Sequence, residues 1–209
     1  MKTLFYIPNI IGYLRILLLF IAYNAQEANY GLFAVSYFFS FCLDALDGIA
    51  ARAFNQCSKF GAILDMLTDR VATLMLTFIA VQTPGANYKW ALVSFGCVDI
   101  ASHWLQYIAS MFKNVHHKEN RNKFRLLDIY YGSKLIMAPL CVGAELYLLA
   151  YIYLYTYNNA SIGFMAFYLV VALLAYFKMF LNVLQLINGA WFIIEMEDNE
   201  REKATTKVK

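Results

Sequence analysis

The segment from residue 44 to residue 69 reads DALDGIAARAFNQCSKFGAILDMLTD, and it decides how the rest of the chain is interpreted. It carries Asp44, Asp47, Asp65 and Asp69, although the sequence on both sides of it is dominated by apolar residues. A charged side chain at the centre of a membrane-spanning helix costs roughly 2.5–3.5 kcal/mol on insertion scales and marks a functional site by default. Four carboxylates in one such segment therefore need a ligand or a counter-charge.

The composition of the whole chain places this segment in a membrane protein. The 209 residues are 61% hydrophobic and 15% charged, whereas a soluble domain has about 25% charged and about 45–50% apolar residues. A soluble globular enzyme and a disordered chain are both excluded. The net charge of +3 is too small to indicate nucleic-acid binding, and the four cysteines show no CxxC spacing of a metal or redox site. The sequence predicts an integral membrane protein.

Six stretches reach the roughly 20 mostly apolar residues that a spanning helix needs. They lie at about 7–23, 30–54, 61–83, 88–111, 134–157 and 161–194. The predicted fold class is therefore an all-α integral membrane protein with a six-helix transmembrane bundle. We expect a single catalytic domain over residues 1–194, followed by a tail at 195–209.

Lysine and arginine counts predict the orientation of this bundle. Thirteen of them fall on one side: Lys2, Arg52, Lys59, Lys113, Lys118, Arg121, Lys123, Arg125, Lys134, Arg201, Lys203, Lys207 and Lys209. Lys89 alone falls on the other side. Both termini are therefore predicted to be cytosolic. The Asn159-Ala160-Ser161 glycosylation motif falls on the opposite side, too close to the membrane for us to expect its use.

The spacing of the four aspartates predicts a metal site. Asp44 and Asp47 are three residues apart, and Asp65 and Asp69 are four apart, so each pair lies on one helical face. A short turn at 55–60 makes the two helices an antiparallel hairpin whose carboxylate pairs face each other. Carboxylate oxygens are the ligands of hard cations, so we expect Mg²⁺ or Mn²⁺, with two ions offsetting most of the negative charge.

The same segment resembles a known family. The pattern reads Asp44-x2-Asp47-Gly48-x2-Ala51-Arg52-x8-Gly61-x3-Asp65-x3-Asp69 and matches every position of the motif of the CDP-alcohol phosphotransferases. Segments outside the motif resemble the eukaryotic phosphatidylinositol synthases of that family, among them NIIGYLR at 9–15, LDMLTDR at 64–70 and DIASHWL at 99–105. The likeness covers most of the chain and is weakest after about residue 190.

The resemblance implies a reaction. A phosphatidyl group would pass from CDP-diacylglycerol to myo-inositol, giving phosphatidylinositol and CMP. The four aspartates would hold the metal ions, and Asp69 would also take the proton of the inositol hydroxyl. Gly48, Arg52 and Ser58 would contact CDP-diacylglycerol. The family likeness further implies a homodimer among membrane lipids, in the endoplasmic reticulum membrane, with the site facing the cytosol.

Two alternatives to this function follow from the residues. The same chemistry with glycerol 3-phosphate, serine or choline as the acceptor type would use the same motif. A cation transporter would need polar residues continuing across the membrane, but after Asp69 the third span offers mainly Thr73 and Thr77. The acceptor pocket stays unassigned. Asp99 and His103, four residues apart, would either bind inositol hydroxyls or form a buried pair.

Overall fold

The computed structural model describes residues 2–84, 86–113, 122–157 and 160–207, and within these residues the chain is helical, without a strand. A 3₁₀ turn at Lys2–Phe5 opens this part of the chain. The helices that follow are α1 (Ile7–Ala25), α2 (Tyr30–Ala53), α3 (Lys59–Gln82), α4 (Lys89–Lys113), α5 (Arg125–Gly132), α6 (Lys134–Tyr157) and α7 (Ile162–Lys207). The predicted all-α class is confirmed.

Among the described residues, four helices are long and apolar enough to cross a membrane, namely α1, α2, α6 and the Ile162–Arg201 part of α7. The 24 residues of α3 and the 25 of α4 also exceed a hydrocarbon core of about 30 Å. They are less apolar because α3 contains Asp65, Asp69 and Arg70, and α4 contains Asp99. These charged residues lower the mean hydropathy of α3 and α4 below that of the other long helices.

The chain forms two compact units, residues 1–75 and 76–209. In the first unit α1 packs along α2. Ala22 of α1 and Phe33 of α2 are completely buried there. The small side chains on α1 include Gly12, where an added Cβ would come within 2.9 Å of Leu64 on α3. A close fit between α1 and α3 follows, of the kind that small residues permit between membrane helices.

In the second unit α7 packs against α4 and α6. Helices α4 and α7 run in the same direction, because Asn182 bonds to Asp99 and, one to two turns later, Gly189 lies against Leu105. An added Cβ at Gly189 would lie 3.1 Å from the carbonyl carbon of Leu105. Helix α5 contributes to a core cluster made of Leu127, Tyr130, Leu140 and Leu181.

Large apolar side chains remain exposed on several helices. Phe20 of α1, Phe38 of α2 and Leu173 of α7 have exposed fractions of 67%, 61% and 72%. Many more large apolar residues are exposed along the same helices, and a soluble monomer does not carry apolar surface on this scale. The outer surface suits contact with lipid chains.

Two features differ from the sequence-based expectation. The connection between the fourth and fifth predicted spans contains an eight-residue helix, α5. Helix α7 continues through the predicted tail to Lys207, because Glu, Lys and Ala residues there are good helix formers and no Gly or Pro interrupts them. The Asn159 motif, Lys118 and Arg121 lie outside the described residues.

Candidate active site

The turn between α2 and α3 fixes the two helices that carry the aspartates. After α2 ends at Ala53, Asn55 adopts a left-handed conformation with φ of 52°. The Gln56 amide donates to the Ala51 carbonyl at 2.9 Å, and the Asn55 amide donates to the Arg52 carbonyl at 3.4 Å. This bond pair is the Schellman motif, which ends a helix and reverses the chain, and Asn tolerates the left-handed position better than most residues.

The next helix begins with a side-chain cap. The Gly61 amide donates to the Ser58 hydroxyl oxygen at 3.0 Å, and this bond satisfies one of the free amides in the first turn of α3. A defined helix end, a left-handed turn and a capped helix start therefore follow within a few residues. Together they set which face of α3 turns toward α2.

All four predicted aspartates come together. Asp44 and Asp47 on α2 and Asp65 on α3 each offer a carboxylate oxygen within 4.8 Å of the others. Asp69, one turn further along α3, joins them through a shared guanidinium partner. Asp47 is buried, and the other three are partly exposed. Carboxylate oxygens this close together repel one another strongly, so the arrangement requires a cation.

The structure supplies one such cation from α1. The Arg15 guanidinium contacts Asp47 and Asp65 through Nη1, both at 2.9 Å. Its Nη2 contacts Asp44 at 2.6 Å and Asp69 at 2.5 Å. The Arg15 side chain is only 4% exposed. Sequence reasoning assigned it no role; the signal was an arginine inside a predicted span of a chain that has four intramembrane carboxylates to balance.

A cleft of about 170 Å³ adjoins the acidic cluster. It is lined by residues from α1, the end of α2, the turn and the start of α3: Pro8, Asn9, Gly12, Asp47, Gly48, Ala51, Gln56, Cys57, Ser58, Gly61, Ala62, Leu64 and Asp65. Anionic and neutral polar groups therefore line one open cleft beside the acidic cluster.

The sequence matches the CDP-alcohol phosphatidyltransferase family model over residues 5–194. This chain belongs to that family. The family is named for transfer of a phosphatidyl group, which favours a transferase over the cation-transporter alternative.

Several relatives within the family carry names that specify an acceptor. A probable CDP-diacylglycerol–inositol 3-phosphatidyltransferase of Arabidopsis thaliana is 47% identical over 67% of this chain and 62% of its own length. The human and Candida albicans proteins named CDP-diacylglycerol–inositol 3-phosphatidyltransferase are 35% and 33% identical over 95% of this chain, and over 95% and 86% of their own lengths. The chain thus matches less than two thirds of the plant relative. No solved structure matches it.

The two glycines Gly61 and Gly48 of the motif differ in how closely other atoms surround them. An added Cβ at Gly61 would lie 2.9 Å from Asn9 Oδ1 and 3.1 Å from Ser58 Oγ, so glycine is needed for packing. The nearest neighbour, Asn9, belongs to α1, so Gly61 lets α1 and α3 approach closely. At Gly48 the nearest atom to an added Cβ is Arg52 Nη1 at 3.5 Å, which is ordinary contact.

Ser58 and Arg52, both predicted to contact CDP-diacylglycerol, lie at the cleft in different ways. Ser58 lines the cleft, but its oxygen already accepts the capping bond from Gly61. Arg52 extends back along α2, and its guanidinium lies beside Gly48, which is a lining residue. A guanidinium in this position can pair with phosphate oxygens.

The acidic cluster fits a divalent cation. Three carboxylate oxygens within 4.8 Å of one another form an all-oxygen donor set, which suits Mg²⁺ and Mn²⁺. A guanidinium alone leaves most of the negative charge of four carboxylates unbalanced. The residues present therefore fit the metal dependence implied by the family.

Asp99 and His103 lie in the second unit, in a hydrogen-bonded network. The Asn182 amide donates to Asp99 Oδ1 at 2.9 Å, and Lys178 donates to Asn182. The His103 Nδ1–H donates to the Asp99 carbonyl oxygen at 2.7 Å. Asp99, Lys178 and Asn182 are all buried. This geometry favours the buried-pair alternative for Asp99 and His103.

Proposed function

We propose that this chain transfers the phosphatidyl group of CDP-diacylglycerol to myo-inositol, giving phosphatidylinositol and CMP. The observation that carries the proposal is the meeting of four carboxylates around Arg15 beside an open cleft. Relatives that share 33–47% identity with the chain are named for this reaction. A neutral polyol acceptor also suits the site, because an acceptor that carries a phosphate would need more basic side chains than the first unit places there.

In this mechanism the nucleotide diphosphate occupies the cleft. Gly48 leaves room for the diphosphate to approach the backbone of α2, and the Arg52 guanidinium pairs with a phosphate oxygen. Ser58 keeps the start of α3 in place by capping it and lies within reach of the nucleotide. The diacylglycerol chains remain in the bilayer while the polar head enters the cleft.

The chemical step is a displacement at phosphorus. The inositol hydroxyl oxygen bonds to the phosphorus that carries diacylglycerol, the bond from that phosphorus to the CMP oxygen breaks, and the hydroxyl proton passes to a carboxylate oxygen of Asp69. Asp44, Asp47, Asp65 and Asp69 would hold one or two Mg²⁺ or Mn²⁺ ions, which neutralise the phosphate oxygens when bound. Asp69 can act as the general base because it lies at the site, within reach of the acceptor hydroxyl.

The setting of the enzyme is part of the proposal. We infer a single catalytic domain over residues 1–194 with six spans, and with both termini in the cytosol because the basic residues lie on that side. A site facing the cytosol would receive water-soluble inositol, and the endoplasmic reticulum membrane would supply CDP-diacylglycerol. We further infer a homodimer.

The test is an assay of the full chain in detergent with CDP-diacylglycerol, Mn²⁺ or Mg²⁺, and separate acceptors. We expect phosphatidylinositol with myo-inositol and no phospholipid with glycerol 3-phosphate, serine or choline. Asp69→Asn should lower turnover about 10²–10⁴-fold, the usual contribution of a general base. Asp198→Asn, an exposed carboxylate on α7, is the matched control. Product with another acceptor but not with inositol would contradict the acceptor, and full activity of Asp69→Asn would contradict the base.

A further inference from the structure

Arg15 binds the four carboxylates in an unusual manner. Arginine pairs most strongly with one carboxylate through two parallel hydrogen bonds. Here the two Nη atoms reach one oxygen each of Asp44, Asp47, Asp65 and Asp69, at 2.5–2.9 Å. The guanidinium therefore bridges four carboxylates and forms a bidentate pair with none of them.

The bonding of Arg15 is also incomplete. Its Nε is buried and has no hydrogen-bond acceptor in the described part of the chain. A buried donor without an acceptor is uncommon and costs stability. The side chain is placed where it balances the charge of the carboxylates at the expense of its own hydrogen bonding.

The same carboxylates are the proposed metal ligands. A carboxylate oxygen that donates its lone pair to a cation and accepts a guanidinium hydrogen bond divides its charge between the two. Two positive groups held on the same four acids also repel each other, and this repulsion is strong where solvent is partly excluded. Occupation by a divalent ion and full bonding of Arg15 therefore oppose each other.

We propose that Arg15 is a built-in counter-cation: it holds the four carboxylates together before metal loading and competes with the metal for them. The inference rests on the proposed metal site. Arg15 thereby sets the metal affinity of the enzyme and keeps the metal-free chain folded. It is a positioning residue and takes no part in the chemical step.

The test measures metal binding and metal-free stability separately from activity. The full chain in detergent is compared with Arg15→Gln, Arg15→Lys and Asp47→Asn. Arg70→Gln is the matched control, because Arg70 is an arginine of the same region whose contact with Asp69 is 3.8 Å. Mn²⁺ binding is followed by electron paramagnetic resonance, and the melting temperature is measured in EDTA and in Mn²⁺.

Removing Arg15 should change the two readouts in opposite directions. Arg15→Gln should bind Mn²⁺ about tenfold more tightly, within the 5–150-fold range of typical coupling between two ligands. In EDTA its melting temperature should fall by about 5 °C, because the carboxylates lose their counter-charge. Mn²⁺ should restore that loss. Arg70→Gln should change both quantities less.

Arg15→Lys keeps the inference testable if Arg15→Gln does not fold. An ammonium has three N–H donors and cannot reach four acids, so this variant should retain its EDTA melting temperature better and still bind Mn²⁺ more tightly than the wild type. Suppose that Asp47→Asn loses Mn²⁺ binding, while Arg15→Lys and any folded Arg15→Gln bind Mn²⁺ no more tightly than the wild type. This result would overturn the proposed role of Arg15 and leave the metal site intact. No Mn²⁺ binding in any form would overturn the metal site as well.

Discussion

The two units both bury charge inside apolar helices, but they balance it differently. In the second unit Asp99 accepts from Asn182, which in turn accepts from Lys178, and His103 lies 3.6 Å from the Asp99 carboxylate. In the first unit four acids share Arg15. A buried acid that is linked to nearby bases can serve as a structural element, whereas an excess of buried acids calls for a ligand. Charge balance thus separates a structural cluster from a site.

The largest expected effect comes from removing a buried acid of the first unit. Asp47→Asn should lower metal-dependent turnover about 10²–10³-fold, as loss of one electrostatic contact in an active site does. The melting temperature in EDTA should stay constant or rise, because one carboxylate less relieves the repulsion. Asp198→Asn, at an exposed position, provides the control. A lower melting temperature in EDTA together with full turnover would show that the acidic cluster is structural. The two units would then not differ in the way proposed.

The next effect tests the second unit in the opposite sense. Lys178→Met should destabilise the protein by about 3–5 kcal/mol, since it leaves Asp99 buried without its linked cation. Thermal unfolding in detergent measures this loss. In the fraction that stays folded, the KM for CDP-diacylglycerol and the Mn²⁺ dependence should not change. The control is Lys134→Met, which removes a lysine from an exposed position. An altered Mn²⁺ dependence with normal stability would assign the second network to the site.

The sequence predicted the acidic cluster better than it predicted what surrounds it. Helical spacing placed Asp44 with Asp47 and Asp65 with Asp69, because i,i+3 and i,i+4 positions share a face, and the short turn at 55–60 predicted that the two pairs face each other. The contribution of α1 was missed, since no spacing rule links Arg15 or Asn9 to residues 29 to 54 positions away. Such long-range contacts depend on how the helices pack.

The same limit applies to helix ends and to the span count. The continuation of α7 to Lys207 was not predicted, because a mixed-charge tail shows no apolar period although its residues favour a helix. In the described part of the chain four helices satisfy length and hydropathy together, while α3 and α4 carry charged residues that weaken this signal. Hydropathy therefore supports fewer spans than helix length alone does.

A smaller effect separates two glycines of the motif within the first unit. Gly61→Ala places a Cβ 2.9 Å from Asn9 Oδ1, and such overpacking typically costs about 1–3 kcal/mol. Gly48→Ala meets only Arg52 at 3.5 Å, so its melting temperature should stay normal while the KM for CDP-diacylglycerol rises. Gly132→Ala, with nothing within 4 Å of the added Cβ, is the steric control. Equal melting temperatures for Gly61→Ala and Gly132→Ala would refute the packing role.

The smallest effect concerns Ser58, whose oxygen lies between the cleft and the start of α3. Ser58→Ala removes the cap and should lower the free energy of unfolding by about 1 kcal/mol, while Ser58→Asn should restore it because Asn caps equally well. A purely structural serine predicts that both variants keep the KM for CDP-diacylglycerol. If Ser58→Asn regains stability but not the KM, the hydroxyl contacts the nucleotide as well. Measuring melting temperature and KM on the same preparations therefore decides whether this residue serves only the scaffold or also the site.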